Sequence, residues 1–416
     1  MTLPTINRSR MLENFLTYVK VDTTAKDDTD HYPSSPGQLE LGKILLRQLQ
    51  ELGLSDAHQD EYGIVMATIP SNLETSAPTI AFNSHVDTSP ETTGANVKPH
   101  VIESYAGGDI VLSGDSSKVI TESQCPELKD AIGKTIITTD GTTLLGGDDK
   151  AGVAIIMELA ATLLENPEVP RGEIRVLFTC DEEIGRGPKH VDIEQVNAVA
   201  CYTFDGGGQN DVDVETFSAD GALVKIQGVN IHPAIAKDKM INAVRATADF
   251  LQRLPAELSP ERTDGRDGFL HPYVIDGGVA EVNLKVLLRS FDTSELSTFA
   301  ELLKKCAAET EQACAGTSVE VEVTKQYRNM ADGLEKEPRA AEFALQAHRN
   351  LGREPNQSII RGGTDGSQFT ERGLPTPNLS SGQHNIHSPL EWACLDEMVA
   401  ACEIGLEIVR LWSETD

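Results

Sequence analysis

The sequence predicts an α/β protein in which a domain with a mostly parallel sheet is interrupted by a smaller α+β insert. Three observations predict it. Short apolar runs alternate with segments of helical periodicity on both sides of a central break, as strand–helix–strand units do. Several of those runs end in acids, histidines and glycines, as in Phe178-Thr179-Cys180-Asp181-Glu182-Glu183-Ile184-Gly185. Ligands of open α/β sheets collect beyond such strand ends. Near Glu215 the rhythm changes to strand, helix, strand, strand, helix, strand, the order of a two-layer ferredoxin-like unit. At 416 residues the chain also exceeds one ordinary core. The expected division is therefore 1–214 with 328–416 for the outer domain, and 215–327 for the insert.

Taken in order, Met11, Leu12, Phe15, Leu16 and Val19 recur at helical spacing, and Leu39, Leu45, Leu46, Leu49 and Leu52 do so again up to Gly53. Strands follow around Gly63 to Ile69 and at Pro78 to Asn83, the second leading into Ser84-His85-Val86-Asp87-Thr88. Residues 89–134 are rich in Gly, Ser and Asp and read as loop and short hairpin. Asp140-Gly141 between Thr-rich flanks signals a hairpin turn. A strong helix opens at Gly146-Gly147-Asp148-Asp149-Lys150-Ala151-Gly152 and ends before Pro167, ahead of the acid-tipped strand. Ala198 to Phe204 is a strand ending in Asp205 and three glycines. Within the insert, strands are expected at Ala222–Gln227, Pro272–Ile275, Val282–Arg289 and Ser318–Tyr327, with helices at Met240–Leu254 and Glu295–Cys314. After Met330 come a helix from Arg339, a short strand at Thr376–Ser380 running on to His384 and His387, and a closing helix from Leu395.

Composition bounds the function classes. The 65 acids against 35 bases give a formal charge of −30, a field that repels nucleic acid and anionic membrane. The excess is spread along the chain and fits a saline habitat. No apolar run is long enough to span a bilayer, and Met1 to Arg10 has no signal-peptide core, so a cytoplasmic protein is expected. Seven scattered cysteines without a C-x-x-C pair agree with a reducing compartment and argue against a thiolate zinc site.

The strand-end donors are His85, Asp87, Asp148, Asp149, Glu182, Glu183, Asp205, Asp365 and His387. Imidazole and carboxylate without thiolate suit Zn²⁺, Co²⁺ or Mn²⁺. Five or more such ligands suggest two ions about 3.5–4 Å apart that share a carboxylate and a water. The competing reading of Asp181-Glu182-Glu183 is a solvated turn in a very acidic chain.

Ser84–Thr88, Gly146–Gly152, Asp181–Gly185, Phe204-Asp205-Gly206-Gly207-Gly208 and Arg361-Gly362-Gly363-Thr364-Asp365-Gly366 follow one another in order. Together they resemble the dizinc aminoacylase/carboxypeptidase family of metallopeptidases, over nearly the whole chain. The resemblance implies a zinc-peptidase catalytic domain with the insert as a lid that binds substrate. It implies two Zn²⁺ per subunit, with Co²⁺ or Mn²⁺ as substitutes. His85 and Asp205 would hold one ion, Glu183 and His387 the other, and Asp148 both. Glu182 would be the general base for a zinc-bridging hydroxide, and the Asp148–Asp149 peptide would be cis. Asp87, two residues past His85, is placed to accept the second imidazole N–H. In the insert, His232 would stabilise the oxyanion and Arg289 would read a peptide carboxylate, with Asn329 and Arg361 as further substrate contacts. Taken without the resemblance, His232 reads equally as an exposed loop residue and Arg289 as a salt-bridge partner.

The activity implied is an aminopeptidase that removes the N-terminal residue from tripeptides. The alternative is a related amidohydrolase acting on dipeptides or N-acyl amino acids. A non-catalytic acidic metal-binding protein has no use for Glu182. A short peptide is the expected partner, and a homodimer is left open. Asp149 is expected to be a helix N-cap, His384 a rim or surface residue, and Cys180 a small core residue.

Overall fold

The computed structural model describes residues 3–415, in two compact units. A strand that is apolar on both faces needs cover on both sides, and Ile80–His85, buried at every residue, lies in the middle of a mixed sheet. Across that sheet the main strands are Val65–Ile69, Ile174–Thr179, Ile80–His85, Ala200–Gly207, Asn378–His384, Trp392–Cys394 and Ile136–Thr138. The four from Ile174–Thr179 to Asn378–His384 run parallel, while the flanking pairings are antiparallel. Register pairs Ile80 with Ile174 and with Ala200, and His85 with Thr179. The carboxyl ends therefore emerge along one edge, and the polar residues that follow them become neighbours.

Packing holds that edge still. Phe82 packs against Tyr202 and Phe204 of the neighbouring strand, with ring centroids 5.7 Å away in each case. Truncating it to alanine would cost roughly 3–5 kcal/mol. The helix Gly147–Glu165 is buried on nearly every side, as a helix apolar all round must be, and packs on the sheet and on the helices Arg8–Tyr18 and Leu395–Ser413. Its buried Glu158 is matched by Arg10, whose Nε lies 2.6 Å from Oε2. Asp140-Gly141 does not turn a hairpin. Asp140 Oδ1 accepts the Thr142 N–H at 2.9 Å and closes a local side-chain turn, and Ile136–Thr138 pairs instead with His100–Ile102 and Trp392–Cys394. No helix among the described residues is long and apolar enough to cross a membrane.

The second unit comprises Glu215–Asn329 and Ile359–Gly363. Its four antiparallel strands lie in the order Phe269–Gly277, Glu281–Ser290, Ser218–Gln227, Ser318–Tyr327. With the helices Ala243–Arg253 and Thr293–Ala313 they form a β-α-β-β-α-β unit with its own core of Val224, Phe250, Leu284, Val286 and Leu303. The unit runs two residues past the expected 327. It also takes in the 359–363 segment, because the Ile360 carbonyl accepts the Phe217 N–H and Arg361 bonds the Gly265 and Asp267 carbonyls.

Candidate metal centre and active site

Five segments of the first unit, at strand ends, loops and the head of a helix, deliver the donors. His85, buried at the end of its strand, has Nε2 3.1 Å from Asp148 Oδ1 and 3.7 Å from Asp205 Oδ1. His387 Nε2 lies 2.9 Å from Glu183 Oε2 and 3.2 Å from Asp148 Oδ2. The result is two triads, His85–Asp148–Asp205 and Asp148–Glu183–His387, with the ligand atoms of each within 4.8 Å of one another. Asp148 belongs to both and turns one oxygen to each. Glu182 Oε2 is 4.0 Å from His85 Nε2, outside both triads and beside the first.

The electrostatics ask for cations. Burial, then the charge of Asp148, pushes the Asp205 carboxyl up to about 7 and that of Glu183 up to about 8. Burial also drives Glu182 well above the usual carboxylate range, and Asp205 and Asp365 add to it. Burial opposes charge on both imidazoles, yet the carboxylates around them prevail: His85 is shifted up and His387 reaches about 11. Glu183 Oε1 is buried without a partner. Nitrogen and oxygen donors, a shared carboxylate and an orphaned carboxylate oxygen fit two divalent ions.

The turn that carries Glu182 and Glu183 is held from both sides. Asp87 accepts the Glu182 N–H on Oδ1 and the Glu183 N–H on Oδ2, each at 3.1 Å. The same residue faces His85 Nδ1 with its carbonyl at 3.2 Å and its Oδ1 at 3.4 Å. Asp181, at φ 59°, is in the left-handed region that most residues avoid. Its buried carboxylate accepts from the Ser34 N–H at 2.7 Å and from Gln38 Nε2 at 2.6 Å, and its own N–H donates to Gln38 Oε1. The Tyr32 hydroxyl lies 2.9 Å from the Cys180 carbonyl and 2.8 Å from that of Gly187. The three consecutive acids are thus divided: Asp181 fixes the turn, while Glu182 and Glu183 face the site.

A sequence profile described as peptidase family M20/M25/M40 matches residues 141–411. The chain belongs to that family. Among similar proteins, Peptidase T of Geobacillus thermodenitrificans is 43% identical over 98% of this chain and 99% of its own length. Peptidase T of Bacillus subtilis is 44% identical over 97% of this chain and 98% of its own. A tripeptidase structure from Staphylococcus aureus matches with a TM-score of 0.77 at 25% identity, covering 99% of this chain and all of the other. The protein is a metallopeptidase, a hydrolase.

Within this peptidase the cis peptide and Cys180 stand as expected, while Asp149, His384 and Asp365 stand differently. Asp149 is not an N-cap. Its Oδ2 accepts the Ser84 hydroxyl at 2.5 Å and the His85 N–H at 3.3 Å, so it braces the strand that bears His85. The Asp148–Asp149 peptide is cis. His384 is not at the surface: its ring stacks on Trp392 at 3.8 Å and its Nε2 lies 2.7 Å from Glu397 Oε2. Cys180 is a buried core residue. Asp365 joins neither triad and accepts from Asn83 Nδ2 at 3.1 Å and from the Thr179 hydroxyl. Sequence reasoning passed over Glu391 and Lys150, both buried, the first accepting the Asp148 N–H and the second two residues past Asp148. The signal for Glu391 was a lone acid between Leu390 and Trp392.

The second unit holds the remaining candidates. His232 is exposed at the start of a short 3₁₀ turn, where Nδ1 accepts the Ala234 N–H at 3.2 Å. Arg289 donates to the carbonyls of Asp220 and Leu288 and lies over the Tyr327 ring. Asn329 accepts the Thr216 N–H and donates to Glu215 and to the Phe291 carbonyl. Arg361 bonds Gly265, Asp267 and Thr263 and lies over Phe217.

Proposed function

We propose that this chain is a cytoplasmic aminopeptidase that removes the N-terminal residue from tripeptides, with two Zn²⁺ per subunit. One observation carries the reading: two histidine–carboxylate triads share Asp148, and Glu182 stands next to them without belonging to either. Relatives named Peptidase T support a peptidase, the neighbour described as a tripeptidase supports the substrate class, and seven free cysteines support a reducing compartment.

His85 and Asp205 would hold one ion and Glu183 and His387 the other, with Asp148 offering an oxygen to each. When bound, the ions supply a water of lowered pKa and polarise the scissile carbonyl. Glu182 takes the proton of the attacking water and returns it to the leaving amine. Asp87 keeps His85 in the tautomer that presents Nε2 to the metal. His232, exposed and carrying a free Nε2 edge in its unit, is assigned to the oxyanion. Arg289 is assigned to the C-terminal carboxylate, which would replace the two carbonyls it now bonds with a charge-assisted pair. Asn329 and Arg361 contribute to substrate binding by supporting that surface, since their polar atoms already hold its backbone.

The test is hydrolysis of a free tripeptide beside its N-acetylated form, a dipeptide and an N-acetyl amino acid, each before and after chelation. Cleavage of the free tripeptide, lost on chelation and restored by Zn²⁺, is the expected result. Preference for acylated substrates would transfer the chain to the amidohydrolase reading.

A further inference from the structure

Asp148 is common to both triads, so its placement decides whether they work as one site. Its backbone stands at the head of Gly147–Glu165, where Asp148 (φ −80°, ψ 104°) and Asp149 (φ −120°, ψ 32°) depart from helical dihedrals, so the N–H groups ahead of the regular helix lack a helical partner. The N-cap position, Gly146, has no side chain to accept them. Glu391 accepts them instead. Its Oε2 takes the Leu145 and Gly146 N–H groups at 2.7 and 2.9 Å, and its Oε1 takes that of Asp148 at 3.1 Å. Glu391 is 1% exposed, and both its oxygens are committed to backbone donors. Gly147 makes room for it: a Cβ there would come within 3.1 Å of Oε1.

The other end of the link lies in the chain itself. Glu391 is four residues past His387, in a tight loop where its own N–H donates to the Ser388 carbonyl at 3.1 Å. Immediately after it, Trp392–Cys394 pairs into the sheet on both sides. One carboxylate thus ties the segment bearing His387 to the backbone bearing Asp148. Charge-assisted bonds of this kind are stronger than neutral ones.

We propose that Glu391 is a positioning residue of the metal centre, which sets the bridging carboxylate of Asp148 against His387 before any ion binds. The proposal rests on the dinuclear reading of the site. Glu391→Gln keeps the volume but replaces one of the two accepting oxygens with an amide N–H₂, which then faces the Asp148 N–H or the pair from Leu145 and Gly146. Metal-free wild-type and variant proteins are titrated with Co²⁺, followed by heat and by the visible absorption of the bound ion, and their thermal unfolding is recorded alongside.

The expected result is two Co²⁺ per wild-type chain, and in the variant an affinity weakened about 10–100-fold with an altered absorption band. A lower unfolding temperature with wild-type Co²⁺ affinity and spectrum would reduce Glu391 to a helix cap and overturn the proposal. Hydrogen exchange on the metal-free wild type tests it without a variant. The amides of Leu145, Gly146 and Asp148 should be protected before Co²⁺ is added, and free exchange that ends only on addition would mean that the metal orders the loop. Failure of the wild type to take up Co²⁺ would remove the dinuclear reading and this proposal with it.

Discussion

The two units treat their polar residues in opposite ways. In the first, three carboxylates of Asp148, Glu183 and Asp205 converge on two imidazoles, and one buried carboxylate oxygen, Glu183 Oε1, is unpartnered. In the second, Arg289, Asn329 and Arg361 direct their donors to carbonyls and side chains of their own unit. The difference separates two kinds of site. A buried carboxylate cluster with an oxygen left unpartnered is built for a ligand of opposite charge. A satisfied surface must exchange existing bonds for substrate bonds, so it adds specificity at smaller net gain.

The comparison can be broken most severely at Asp148. Asp148→Ala removes a ligand from both triads, and turnover should fall to the chelated background with fewer than two ions retained, measured by metal analysis and peptide hydrolysis. Two tightly held ions in that variant would show that the carboxylate cluster is not what binds metal. Asp87→Asn is next. It puts an amide N–H₂ against a turn N–H and should cut kcat about 10–100-fold while KM stays nearly constant. A change in KM alone would move Asp87 from the turn to the substrate.

In the second unit, Arg289→Ala should raise KM for a free tripeptide about 10–100-fold, the equivalent of one charge-assisted hydrogen bond, and leave an amidated peptide little affected. Equal losses on both peptides would remove its carboxylate role. The smallest effect lies in the core of the first unit. Burial, helped by the charge of Arg353, pushes the His348 imidazole down to about 4. The unfolded chain, with an ordinary pKa near 6.5, binds that proton first, so stability falls as pH drops from about 6.5 toward 4. His348→Gln should reduce that fall by about 1–2 kcal/mol in denaturant titrations at pH 7 and 4.5. An unchanged slope would mean that other groups carry it.

Much of the catalytic unit is readable from the chain because parallel strands in register bring their ends together. His85, Glu182–Glu183 and Asp205 each directly follow or end an apolar run, so their convergence follows from the sheet. What local pattern misses is set by partners distant in sequence. Asp149 reads as an N-cap, yet Ser84 and the His85 N–H claim its carboxylate across the sheet. Glu391 supplies the missing cap from 243 residues away. Asp140-Gly141 has the residues of a hairpin turn but no return strand, since both edges of Ile136–Thr138 are already paired. His384 lies in an exposed-looking polar run, and its burial depends on Trp392 and Glu397.

The central claim is that neighbouring carboxylates divide the labour: Glu183 binds metal and Glu182 moves the proton. Metal content and tripeptide turnover of Glu182→Gln, measured on the same preparation, test it most directly. Two ions per chain, with kcat lowered by about 10²–10⁴-fold, is the predicted result. Two ions with wild-type turnover would contradict it.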